Sequence, residues 1–150
     1  MSNLYDTDIV VWSEQQAELL RRLAAGEAVN AAVDWDNIID EVETVGESER
    51  SRLESHIGTV VEHLIKLQAS PATGPRNGWK RSIRNARRGI MRCVKRSPSL
   101  RHQIGAIIQD ETPGARDDAA ASMRDYSEEP CVEIDSLTYT DDQVLGDWFP

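Results

Sequence analysis

The sequence predicts an all-α protein, an up-down bundle of four to five helices with an irregular C-terminal tail and one short terminal helix. Three observations carry that prediction. Apolar residues recur at steps of three and four over long stretches, which gathers them on one helix face. Breaker-rich segments, residues 70–78 and Ser97-Pro98, separate those stretches. Alternating β-branched runs, the mark of strands, are absent apart from one short run at residues 131–134. Long helices joined by shorter connectors favour a bundle. At 150 residues the chain is read as one domain, residues 1–150.

The first helix is expected over residues 8–25. Ile9, Trp12, Gln16, Leu19 and Leu23 form its stripe, with a single polar member. Asp6, Thr7 and Asp8 are candidate N-caps, and Gly26 is a stop signal. Residues 27–33 form a connector. The second helix is the longest, residues 35–69, about 50 Å if unbroken. Asp34 can cap it. Its seam is Trp35, Ile38, Val42, Val45, Glu49, Leu53, His56, Val60, Leu64 and Leu67, and Gly46 could mark a bend. The third helix spans residues 79–96 on the stripe Trp79, Ile83, Ala86, Ile90 and Val94, with Cys93 alongside. Ser97 and Pro98 suit the cap and first position of a fourth helix carrying Leu100, Ile104, Ile107 and Ile108. Thr112-Pro113-Gly114 predicts a kink there or a fresh helix start. Thr140-Asp141-Asp142-Gln143 reads as a capping box opening one short turn before Gly146, and the aromatic end Trp148-Phe149 is expected to pack on the bundle or on a neighbour.

Charge is partitioned into three blocks. Residues 1–50 hold 12 Asp+Glu against 3 Lys+Arg, residues 51–100 hold 2 against 11, and residues 101–150 return to 12 against 3. Between His63 and Gln109 there is no acid. The third helix carries the cations, and Lys80, Arg81, Arg84, Arg88, Arg92 and Lys95 form a candidate binding surface. Lys80 and Arg81 sit in its first turn, where the helix dipole disfavours cations. An internal partner would relieve that. In an up-down bundle, Asp6, Asp8 and Glu14, then Asp117, Asp118 and Asp125, come near the first turn. Asp36, Asp40, Glu41 and Glu43 come near Arg92, Lys95 and Arg96. The expectation is therefore a helix neutralised by its own chain, with an anionic partner as the competing reading.

Glu49 and His56 form a candidate buried polar pair on the second helix, two turns apart. His56 and His63 are seven apart, which is poor spacing for chelation. No His-Glu metal motif, P-loop, dinucleotide fingerprint or nucleophile elbow occurs, so no catalytic residue, metal site or cofactor is assigned. Cys93 lies beside Arg92, Lys95 and Arg96, yet its place next to the apolar stripe favours a buried structural thiol. Two lone thiols, no signal peptide and no run of about 20 apolar residues fit a cytoplasmic chain without a membrane partner.

The order of several short motifs adds a resemblance. Leu4-Tyr5-Asp6-Thr7-Asp8 with Trp12, Asp34-Trp35 with Glu41-Val42-Glu43, Gly46 and Ser48-Glu49-Arg50, His63-Leu64-Ile65-Lys66, and Trp79 with Ile83 come in sequence. Ser97-Pro98-Ser99-Leu100, Tyr139-Thr140 with Gln143, and Trp148-Phe149-Pro150 complete it. Together they resemble the bacterial family catalogued as domain of unknown function 29, across nearly the whole chain. The resemblance implies an all-helical domain and no activity. The reading favoured by the sequence is a non-enzymatic cytosolic protein-interaction module, self-association being one form of it. The alternative is a nucleic-acid or phosphate-binding protein using the basic third helix. An enzyme is the least favoured.

Overall fold

A computed structural model describes residues 3–150. Every regular element among the described residues is helical, as the spacing of apolar residues requires. The six α-helices are α1 (Leu4–Thr7), α2 (Ile9–Ala24), α3 (Trp35–Ala69), α4 (Arg76–Arg96), α5 (Ile104–Asp125) and α6 (Asp141–Leu145). Short 3-10 turns lie at Asn30–Ala32, Pro98–Gln103 and Ile134–Ser136. The β-branched run at residues 131–134 forms no strand. Two compact units result, Met1–Glu47 and Ser48–Pro150, and α3 runs unbroken across the division. Gly46 sits inside that helix, one residue before the first unit ends.

In the first unit, the Asp8 side chain accepts from the Val11 N–H and starts α2 where predicted. A separate turn, α1, precedes it, capped by Asn3. Gly26 follows the end of α2 at φ +91°, a left-handed conformation that glycine adopts without Cβ strain. The polar member of the α2 stripe has a partner: buried Gln16 accepts from the Asp34 N–H at 2.8 Å. The Trp12 indole donates to the Asp34 carboxylate at 2.9 Å, and Asn37 donates to the same oxygen at 2.7 Å. These donors, Asn37 first, hold the Asp34 carboxyl below its ordinary range. Tyr5 donates to Glu41 at 2.7 Å. Among the described residues of this unit, only Trp12, Gln16 and Val33 are buried.

The second unit holds the core. Its three long helices run up-down-up. Glu49 meets Arg96, and His56 lies on Gly89, so α3 and α4 are antiparallel. Gly58 faces Glu111, and Ser70 donates to Glu128 at 2.5 Å, so α3 and α5 are parallel. Leu53, Ile57, Leu64 and Ile65 of α3, Ile83 and Ile90 of α4, and Ile107 and Met123 of α5 are fully buried together. Each such side chain stabilises the fold by about 1.5–3 kcal/mol.

Three boundaries differ from the sequence reading. Helix α4 starts at Arg76 rather than 79, because the Arg76 guanidinium reaches back to the Leu67 carbonyl at 2.9 Å and the Pro75 carbonyl accepts from the Trp79 N–H. Ser97 makes no side-chain cap bond, and Pro98 opens a 3-10 turn before α5. Thr112-Pro113-Gly114 does not start a new helix. Helix α5 continues through it, with buried Thr112 donating its hydroxyl to the Ile108 carbonyl at 2.5 Å and Pro113 exposed.

The irregular tail is pinned to α4. Thr140 and Gln143 form the predicted capping box of α6. Arg87, only 8% exposed, donates Nε to the Val144 carbonyl at 2.9 Å. Its Nη2 donates to the carbonyls of Gln143 at 2.8 Å and Trp148 at 2.7 Å. The Phe149 ring lies under the same guanidinium, 5.0 Å from its centre, and Lys80 and Arg84 approach that ring too. Tyr139 donates to Gln68 at 2.5 Å. Removing Arg87 leaves three carbonyls without their charged donor. We expect Arg87→Ala to cost about 2–4 kcal/mol, read as a fall in the thermal midpoint, with faster amide exchange confined to residues 139–150. An unchanged midpoint and tail would show that the tail is held by other contacts.

Candidate functional site

Three features of the surface are candidates: the cationic arc of α4, the polar cleft between α3 and α4, and the apolar face of the first unit. The arc follows from helical spacing. Ile83, Ala86, Ile90 and Val94 turn inward, which sends Arg81, Arg84, Arg88, Arg92 and Lys95 outward, and all five are exposed while Lys80 is half-buried. Within this unit, among the described residues, one cation of the helix forms an ion pair: Arg96, with Glu49 at 3.4 Å. Arg88 is held by the Asn85 side chain. Asp117, Asp118 and Asp125 form no ion pair with the helix, so the expected neutralisation is corrected for that part. The remaining acids expected beside it, from Asp6 to Glu43, belong to the other unit. The C-terminal segment closes one side of the arc, where Arg84, Arg88 and Arg92 border a shallow depression with Met91, Leu145 and Asp147.

The cleft brings together the two residues singled out on the second predicted helix. Glu49 and His56 both line it, but they are not bonded to each other. Buried Glu49 accepts from Arg52 at 2.7 Å, and Arg96 reaches the same oxygen. His56 stacks against Gly89 of α4, opposite it. Cys93 forms part of the wall and is buried. Burial chiefly, and then the Glu49 charge, push its thiol pKa up, against the opposing pull of Arg52, Arg92 and Arg96. Cys93 thus contributes a buried, weakly polar part of the wall. The other histidine of α3, His63, is engaged through Nδ1 with the Thr59 carbonyl at 2.8 Å. Among the described residues no three His, Cys, Asp or Glu side chains gather as a metal centre needs. Nor is any helix long and apolar enough to cross a membrane.

The third feature has a helical period but no core beneath it. Trp35, Ile39, Val42 and Val45 lie on one side of the N-terminal part of α3, and Val42 and Val45 are 68% and 60% exposed. Val42 and Val45 form one wall of a shallow, mainly apolar groove whose other lining includes Trp12, Ala17, Leu20 and Ile38. Ile9, Val10 and Val11 of α2 are exposed as well.

Residues 4–149 match the family described as domain of unknown function DUF29. The chain belongs to that family. No curated protein and no solved structure matches it. Membership carries the helical fold of this DUF29 chain and leaves its activity open, so its surfaces must be argued from their own chemistry.

Two residues escaped the sequence reading of the DUF29 site. Arg87 is absent from the candidate surface and has no role of its own in that reading, yet it lies four residues from Ile83 and three from Ile90, on the buried stripe. Gly89 lies inside a helix otherwise free of breakers after residue 78. Its lack of a side chain is required: a Cβ there would stand 2.5 Å from His56 ring atoms. Gly89→Ala, normally stabilising in a helix interior by about 1 kcal/mol, should here lower the melting temperature. Gly46→Ala, with nothing within 4 Å of the added Cβ, should raise it. Equal shifts of the two variants would refute the close packing of His56 on α4.

Proposed function

We propose that this protein is a non-enzymatic, cytosolic protein-interaction module that self-associates through its first unit. One observation carries the reading: a helical hairpin presents Ile39, Val42 and Val45 to water while burying almost nothing of its own. Apolar surface of this extent on a two-helix element is a cost in solution, and it is relieved when another apolar face covers it. A second copy fits, because every copy carries the same apolar groove, walled by Val42 and Val45, on its hairpin. A two-fold axis would set the groove faces of the two copies against each other, completing a four-helix arrangement. The two unbridged cysteines support a reducing compartment.

The exposed acids Asp36, Asp40, Glu43 and Glu47 stand along the same stretch of helix. They repel their symmetry mates, so screening favours association. Light scattering should give twice the 16.8 kDa chain mass, with a dissociation constant that falls as salt rises. Val42→Glu should return the protein to one chain with its helicity unchanged. A wild-type protein that stays at one chain mass at every concentration and salt would refute the reading.

A second reading, nucleic-acid binding, is favoured by one observation, the cations of α4 that have no carboxylate partner in their own unit. It has the opposite salt signature, since each phosphate neutralised releases counterions. An oligonucleotide should bind at low salt with an affinity that falls as salt rises. Arg84→Ala and Arg88→Ala should each reduce the log–log slope by about 0.7–0.9. Absence of binding at low salt rules this reading out.

A further inference from the structure

The cleft between α3 and α4 in the second unit is built in a way that stability alone does not require. Its volume is about 370 Å³. Three guanidinium groups, of Arg52, Arg92 and Arg96, open onto it, against one carboxylate, Glu49. Arg52 and Arg96 both converge on a single oxygen of that carboxylate, at 2.7 and 3.4 Å. Arg92 forms no ion pair within the unit, although it lies four residues from Arg96, a spacing at which like charges on a helix repel.

The floor is formed by His56. Its imidazole hydrogen-bonds no described protein group, while the imidazole of His63 two turns further on does. The ring can lie so low only because residue 89 is glycine, at a cost of about 1 kcal/mol to α4 relative to alanine. An excess of two positive charges, a half-buried imidazole whose nitrogens are not sealed from water, and a helix glycine that makes room for it therefore meet in one cleft. Local departures of this kind that coincide in space mark a site for something the chain itself does not supply.

We propose that this cleft binds a tetrahedral oxyanion of the phosphate class, free phosphate or a phosphate monoester. Arg92 and Arg96 supply the charge-assisted donors from α4, Arg52 does so from α3, and a ring N–H of His56 donates from the floor. Glu49 holds the Arg52 and Arg96 guanidinium groups in place and keeps the empty cleft from carrying three uncompensated charges. Cys93 takes no part in bond making, and the role of the cleft is recognition. The inference does not rest on self-association, which involves the other unit. It differs from the nucleic-acid reading in needing a discrete pocket rather than an extended arc.

The test is titration of the full chain with orthophosphate at constant ionic strength, followed by ¹H–¹⁵N amide shifts. Sodium chloride and sodium sulfate serve as comparators. The expected result is saturable shifts centred on residues 49–56 and 89–96. Arg92→Ala and Arg96→Ala should each weaken binding about tenfold, roughly one charge-assisted contact. Both side chains are exposed, and Arg52 still pairs with buried Glu49 when Arg96 is removed, so the fold is retained. Arg124→Ala, on α5 outside the cleft, should leave the affinity unchanged. Gly89→Ala should weaken binding by displacing His56. Glycerol phosphate, run in parallel, separates the sources: tighter binding than orthophosphate assigns the site to an esterified phosphate, and weaker binding to the free ion. Orthophosphate shifts no larger than those of chloride, or an affinity unmoved by both arginine substitutions, would overturn the proposal.

Discussion

One helix serves two environments, and the rest of the structure follows from that constraint. From Glu49 onward the seam of α3 is buried against α4 and α5, with Leu53, Ile57, Val60 and Leu64 inaccessible to water. Before Glu49 the same seam continues in sequence, through Trp35, Ile38, Val42 and Val45, and most of it is exposed. Apolar residues recur at steps of three and four on both sides of a polar stretch at residues 46–52, but only those after it are buried in a core. Stability therefore resides in the Ser48–Pro150 unit, while the hairpin unit keeps an exposed apolar face.

The second unit shows how an extreme charge bias is reconciled with a core. Helix α4 has an apolar side that supplies Ile83, Ala86, Ile90 and Val94 to the core, and every cation but one is kept off it. The exception, Arg87, is given three carbonyl acceptors from the C-terminal segment, and so a costly buried guanidinium becomes the anchor of the tail. Burial draws its pKa down, and Asp147 nearby opposes that shift. The neutralisation expected for the whole helix is met at Arg96 alone within the unit, because the acids of α5 such as Asp117 and Asp118 are exposed and make no ion pair with it. Charge compensation gives way to solvation wherever the side chain can reach water.

Much of the architecture was legible in the chain. The limits of α3, the stripe of α4, the Asp8 cap, the Gly26 stop and the capping box at Thr140 all rest on local physics, which a single sequence expresses directly. What was not legible depends on contacts distant in sequence. The start of α4 at Arg76 hangs on the Leu67 carbonyl, and the continuity of α5 past Pro113 on burial of its inner face. Of the candidate site, the residues of the cationic surface were visible, but their freedom from carboxylates in their own unit was not. Glu49 and His56 were visible as polar interruptions of a seam. What they meet across the cleft was not, since Arg96, which reaches Glu49, and Gly89, on which His56 packs, come from the antiparallel helix.

The account's central claim is that the hairpin face is completed by association and the bundle is complete by itself. Amide hydrogen exchange measured across a range of protein concentrations tests it most directly. The account predicts that amides within residues 53–123 are protected to the same degree at every concentration, while those of residues 9–24 and 35–47 gain protection as concentration rises. Strong protection of the hairpin at the lowest concentration, equal to that of the bundle, would contradict it.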